Sequence, residues 1–223
     1  STIVDGLNFY LNQAKNSDVQ VVGAAQVGSD VHARVAATSR TYEYFVVSRG
    51  SPESGSVARP SSSSMFHRDR AWIVDKYLDT DAMTQAAVLL EGINDFSSFR
   101  NSGCQSKSPT RHMYQLSCEA SPLSFAPGLS GLPTADLTTA NGGTNPPPRI
   151  IKFTLNANAY VFRMCRNIVS ALVKVGSGEL TLSDFKFIFE ARDRRLAPYA
   201  APAQGLYLKD VQYNNNNLDW NQT

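Results

Sequence analysis

The stretch YVFRMCRNIVSALVKV, residues 160–175, decides how the rest of the chain is read. Its apolar residues Ile168, Val169, Leu172, Val173 and Val175 recur at helical spacing. Arg163, Arg166, Asn167 and Ser170 fall at i, i+3, i+4 and i+7, which predicts a helix with these four on one face. An ordinary amphipathic helix with a solvated basic face satisfies the pattern. Otherwise two arginines and an asparagine beside a mostly apolar surface need an anionic partner, because a desolvated cation without one is costly.

Working outward, residues 150–159 (IIKFTLNANA) and 111–120 (RHMYQLSCEA) read as strands. They flank a Pro/Gly-rich run and are expected to pair as a hairpin with an enlarged loop. Residues 41–47 (TYEYFVV) and 205–213 (GLYLKDVQY) are further strands. Asp79 or Thr80 caps a helix carrying Met83, Ala86, Ala87 and Leu90, with Gly92 as its stop. Thr181 with Asp184 forms a capping box ahead of an apolar face of Leu182, Phe185, Ile188 and Phe189. Strands and helices interleave without regular βαβ spacing, so the expected class is α+β, a mainly antiparallel sheet flanked by helices. Residues 48–65 and 121–148, rich in Ser, Gly and Pro, are expected to be surface insertions, and 214–223 a polar tail.

Composition narrows the function classes. The chain has 223 residues, 42% hydrophobic and 18% charged, which is the balance of a soluble globular protein. A net charge of +2 permits a nucleic-acid partner without arguing for one. No apolar run is long enough to cross a bilayer, and no basic leader precedes an apolar stretch after Ser1, so an intracellular protein with no membrane partner is expected. Cys104, Cys118 and Cys165 are odd in number and widely spaced, which argues against a disulfide framework. His32, His67 and His112 form no ligand spacing with them, so no metal site is expected.

Several motifs follow one another in order: Val31-His-Ala-Arg34, Ser39-Arg-Thr-Tyr42-Glu-Tyr44, Gly92-Ile-Asn-Asp95-Phe96-Ser-Ser-Phe99-Arg100, and Cys104-Gln105 with Pro109-Thr-Arg111. Ala157-Asn158-Ala-Tyr160, Arg163-Met-Cys-Arg166-Asn167, Asp193-Arg194 and Ala201-Pro-Ala-Gln204-Gly205-Leu206-Tyr207-Leu208 complete the series. The series closely resembles the TruA family of tRNA pseudouridine synthases over residues 5–213. Val31 stands where that family usually has Phe. The resemblance implies a pseudouridine synthase-like fold, with residues 1–47 the remainder of an N-terminal subdomain and 66–213 the catalytic-fold domain. It implies a redox-neutral isomerisation of uridine in tRNA that uses no cofactor, and a homodimer.

By the same resemblance Tyr42 is the active-site tyrosine, suited to stacking on a flipped uracil. Arg166 is the arginine that pairs with the catalytic aspartate. Leu206 packs on the opposite face of the base, and Asn167 binds substrate or orients backbone groups nearby. Arg34, Arg40, Arg100, Lys107, Arg111 and Arg163 are candidates for phosphate contact. Read without the resemblance, Tyr42 and Leu206 are core residues of strands and Arg166 is a surface arginine. The family's catalytic aspartate lies in a Gly-Arg-Thr-Asp segment that these 223 residues do not contain. The chain is therefore expected to be the C-terminal part of a longer enzyme, inactive alone. The alternative is a non-catalytic RNA-binding module of the same fold.

Overall fold

A computed structural model describes residues 2–14, 18–29, 31–50, 67–122 and 148–214. The expected insertions lie outside the described residues from 51 to 66 and from 123 to 147, as does the polar tail beyond 214. The chain falls into two compact units, residues 1–39 with 211–223, and residues 40–210.

The sheet is built around the strand β5 (Arg149–Ala157), in which Ile151, Phe153, Leu155 and Ala157 are buried and the residues between them half-buried. That period of two turns one face of the strand to the core. On one side β5 pairs antiparallel with β1 (Ala37–Ser48), aligning Tyr42 with Leu155, Tyr44 with Phe153 and Val46 with Ile151. On the other it pairs antiparallel with β4 (Thr110–Pro122), aligning Leu116 with Leu155. A register shift between Met113 and Gln115 leaves Tyr114 exposed. β4 continues antiparallel to β3 (Gly92–Asp95). β2 (Trp72–Val74) runs parallel to β1, and β6 (Leu206–Tyr213) also pairs with β1. The class is the α+β one read from the sequence, and β4 and β5 pair as that reading expects.

Apolar side chains of α2 (Thr80–Val88), α3 (Met164–Gly176) and α4 (Leu182–Glu190) share one core with those of the sheet. α2 starts at Asp79, whose Oδ1 accepts from the backbone N–H of Asp81 and Ala82 at 2.9 and 3.0 Å. It closes on Leu89, whereas Gly92, the expected stop, lies beyond it at φ +90° and opens β3. α2 crosses α3 closely at Gly176, whose carbonyl accepts from Asp79 N–H at 2.8 Å and whose added Cβ would meet Met83 Sδ at 2.7 Å. α4 begins with the Thr181–Asp184 capping box. Phe185 and Ile188 are buried, but Leu182, expected on that face, is 40% exposed. α1 (Thr2–Gln13), in the first unit, was not signalled by the sequence; both amide atoms of its Asn8 bond the main chain of Val21 at 2.8 Å.

α3 departs most from expectation. It starts at Met164, and Arg163, expected on its polar face, stands just before it in a left-handed conformation, φ 62°. Almost every residue of the helix is buried, Asn167 and Ser170 included. A helix buried nearly all round is a central core element, so the solvated basic face does not exist.

Candidate active site

Tyr42 projects from β1 on the same face as Tyr44. Its ring meets that of Tyr160 edge-on, with centroids 5.0 Å apart and planes at 86°. Tyr160 is fixed in turn: its hydroxyl donates to the Leu155 carbonyl at 2.8 Å and lies 3.1 Å from that of Arg40. Burial raises the pKa of the Tyr42 hydroxyl, nearby Cys165 adds to the rise, and Arg40 partly offsets it. Tyr42 is therefore a neutral hydroxyl at physiological pH, able to donate as well as accept.

Arg166 stands in the first turn of α3. Its Nε donates to the Ala201 carbonyl at 2.6 Å, and the Ala201 N–H donates back to the Arg166 carbonyl at 3.1 Å. The compensation for this cation is thus a backbone dipole, where the sequence pattern called for an anion. Among the described residues the two Nη groups have no hydrogen-bond partner, so the guanidinium can still take a carboxylate end-on through Nη1 and Nη2. The segment that holds Arg166 also delivers Leu206. Tyr44, fully buried, donates to the Pro202 carbonyl at 2.6 Å. Gly205 lies against the Tyr44 ring so closely that an added Cβ would sit 2.7 Å from it and 2.9 Å from the Phe45 carbonyl. Leu206 follows immediately, half-buried at the start of β6 and packed against the core. Tyr44 also feels the Arg166 charge, which lowers a hydroxyl pKa that burial pushes far up. Arg166 and Leu206 are therefore gathered around Tyr44, two residues along β1 from Tyr42.

The other predicted residues take varied places. Asn167 is fully buried. Its Nδ2 donates to the Phe99 carbonyl at 2.7 Å and to Asn101 Oδ1 at 2.8 Å, and its Oδ1 accepts from Arg194 Nη2 at 3.1 Å. Arg40 Nη1 donates to the Asn158 carbonyl at 2.7 Å. Arg100 and Arg111 grip one loop from two sides. Arg100 Nη2 donates to the carbonyls of Cys104 and Ser106, and Arg111 bonds the Ser106 hydroxyl and the Ser108 carbonyl. Burial, and the Arg100 charge beside it, lower the pKa of Arg111 despite an opposing effect of Cys104. Lys107, on the same loop, is exposed. Arg163 is exposed, its guanidinium 5.2 Å from the ring centre of Phe162. Arg34 belongs to the first unit and is exposed. A cavity of about 750 Å³ lined by Tyr77, Asp79, Gly176 and Thr181 lies toward the far end of α3 from Arg166 and includes none of the predicted residues. Among the described residues no group of three His, Cys, Asp or Glu is placed to hold a metal ion, and no helix is long and apolar enough to cross a membrane.

Sequence reasoning did not give roles to Tyr44, Asn101, Tyr160 or Arg194. Tyr44, Tyr160 and Arg194 stood in motifs already singled out, yet only coordinates show what they touch.

A family model described as tRNA pseudouridine synthase matches residues 86–214, more than half the chain. The chain belongs to the tRNA pseudouridine synthase family. It is 36% identical over 196 residues to tRNA pseudouridine synthase A of Chromobacterium violaceum, covering 88% of this chain and 61% of that protein. The corresponding protein of Vibrio campbellii is 36% identical over 201 residues, with 88% and 61% covered. That of Maricaulis maris is 32% identical over 209 residues, with 94% and 68% covered. The chain thus spans about three fifths of the length of the first two. Arg166 and Leu206 lie inside the span matched to the synthase family, and the Maricaulis match leaves too few residues uncovered to omit Tyr42.

Proposed function

We propose that the protein carrying this chain is a tRNA pseudouridine synthase, and that residues 40–210 supply the tyrosine, arginine and leucine of its uridine site. The observation that carries this reading is the fixed arrangement at the start of α3. Arg166 is braced through Nε on the Ala201 carbonyl, on the segment that ends in Leu206, with both Nη groups open among the described residues. Family membership supplies the chemistry that such an arrangement serves.

In that reaction the C1′–N1 bond of uridine breaks, the uracil turns, and a C1′–C5 bond forms. C5 gives up a proton where N1 gains one, so no electrons enter or leave. A flipped uracil stacks against the neutral Tyr42 ring, whose hydroxyl relays that proton. Arg166 holds the aspartate of the Gly-Arg-Thr-Asp segment ionised and in line with the ribose. Leu206 closes the other face of the base. Arg100, Arg111 and Lys107 with Arg163 form the basic rim for the RNA backbone. Asn167, with its polar atoms engaged inside the protein, acts by orienting the backbone around it. The working protein is a homodimer, as the resemblance implies.

The test is pseudouridine formation in a uridine-containing tRNA transcript, read by carbodiimide adduct mapping. The complete protein is expected to convert the transcript. Tyr42→Phe and Arg166→Ala each lose at least about 100-fold in kcat/KM, the scale of one lost proton-transfer or electrostatic group. Salt-sensitive tRNA binding with no turnover by the complete protein would favour the binding-module alternative. Full turnover in both variants would overturn the site assignment.

A further inference from the structure

The three-way junction of Asn101, Asn167 and Arg194 lies beside the proposed site and is absorbed by none of the steps above. Each nitrogen of the Arg194 guanidinium donates a hydrogen bond, two of them within the junction. Nε donates to Asn101 Oδ1 at 3.0 Å, Nη2 to Asn167 Oδ1 at 3.1 Å, and Nη1 to the Ala197 carbonyl at 2.8 Å. Asn101 also accepts from Asn167 Nδ2 and donates its own N–H to the Phe162 carbonyl at 3.1 Å. Among the described residues no carboxylate pairs with Arg194, although its neighbour Asp193 pairs with Arg195. Burial lowers the Arg194 pKa. A partly desolvated guanidinium held entirely by neutral oxygens is a poor source of stability, since a pair of apolar residues would avoid its desolvation cost. A planar fork is nevertheless well suited to fix three acceptors in one plane.

What the fork joins gives the junction its meaning. Asn167 and Phe162 bracket the first turn of α3, where Arg166 stands. Ala197 opens the segment that reaches Ala201, the residue whose carbonyl receives Arg166 Nε and whose N–H returns to the Arg166 carbonyl. Arg194 thus ties together the two supports of one side chain, the helix that carries Arg166 and the loop against which it leans. We propose that Arg194 is a positioning residue for Arg166, holding the Ala197–Ala201 segment at a fixed distance from the first turn of α3. It acts at second hand, and Arg166 alone meets the carboxylate. This inference rests on the role given to Arg166 above.

The experiment uses the complete protein and two readouts. One is solvent exchange of the Arg166 Nε–H resonance, assigned by its disappearance in Arg166→Lys. The other is steady-state turnover on tRNA. The parent is expected to protect that proton. Arg194→Lys keeps the charge but loses the fork, and should speed the exchange at least about tenfold while lowering kcat about 10- to 100-fold with little change in KM, the pattern of a misplaced group. Unchanged exchange in Arg194→Lys overturns the proposal whatever happens to the rate, and so does faster exchange with an unchanged kcat. Should Arg194→Lys fail to fold, Asn101→Ala removes the acceptor shared by Arg194 and Asn167 and is read in the same way. The exchange readout needs no activity. Full turnover by Arg166→Ala would therefore sink the site assignment separately, leaving the mechanical link between Arg194 and Arg166 judged on its own.

Discussion

Arg163 carries a left-handed backbone conformation, φ 62°, and an exposed guanidinium. A left-handed conformation costs an ordinary L-residue about 1–2 kcal/mol, and only glycine adopts it freely. Replacing Arg163 by glycine removes that strain. The replacement also forfeits an exposed cation–π contact with Phe162 of about 0.5–1 kcal/mol, and adds glycine's entropy in the unfolded chain, about 0.5–1 kcal/mol. These terms nearly cancel. Arg163→Gly is expected to change stability in urea unfolding by no more than about 0.5 kcal/mol, within the range of ordinary surface substitutions. Arg163→Val, β-branched and barred from this conformation, should lose about 1–2 kcal/mol. Both variants should lower the salt dependence of tRNA binding by about one phosphate contact. Equal stability of the two would mean that the backbone at residue 163 is not strained as the structure has it.

At the level of elements, the best-read parts were those with a local chemical mark. Asp79 capping α2 and the Thr181–Asp184 box opening α4 could be placed because the capping side chain and the N–H groups that it satisfies are neighbours in sequence. Asp79→Ala is accordingly expected to destabilise by about 1 kcal/mol, and Asp79→Asn by much less, since the asparagine oxygen still accepts from Asp81 and Ala82. Thermal unfolding of the pair checks this, and matching losses would show that the carboxylate acts through its charge. The long strands 41–47, 111–120 and 150–159 were legible from composition. β2 and β3, three and four residues long, are too short to show a period. The start of α3 misled for a different reason. Arg163 fits the helical spacing, but just before it the Phe162 N–H donates to Cys104 Sγ and the Phe162 carbonyl accepts from Asn101, partners about sixty residues away that no local reading can supply. The site divided along the same line. The identities of Tyr42, Arg166 and Leu206 came from ordered motifs, whereas the Ala201 brace, the Tyr160 edge contact and the Arg194 fork are long-range contacts, visible only once the strands are paired.

Across the whole molecule the net charge is only +2, so fold stability depends weakly on the global field. The pH dependence of stability is set by individual pairs. Glu179 accepts from Lys174 at 2.7 Å and from Lys76 at 2.8 Å, joining the C-terminal end of α3 to the segment after β2. Those two bonds bring its pKa from an ordinary 4.5 down to about 2. A folded-state pKa below the unfolded one means that the unfolded chain takes up the proton first. The contribution is therefore complete above about pH 4.5 and disappears as pH falls toward 2. All three side chains are substantially exposed, so the effect stays below about 1 kcal/mol. Asp193, held down to about 2 by Arg195, titrates in the same window, so the parent curve alone cannot isolate Glu179. The difference between the parent and Glu179→Gln can, because Asp193 is common to both. Urea unfolding across this range should show the parent ahead of Glu179→Gln at pH 7, the gap closing below about pH 4.5 and vanishing near pH 2. A gap of constant size from pH 7 to pH 2 would mean that Glu179 contributes by packing and hydrogen-bond geometry that its protonated form keeps, and that the two lysines do not hold the carboxylate in its charged form.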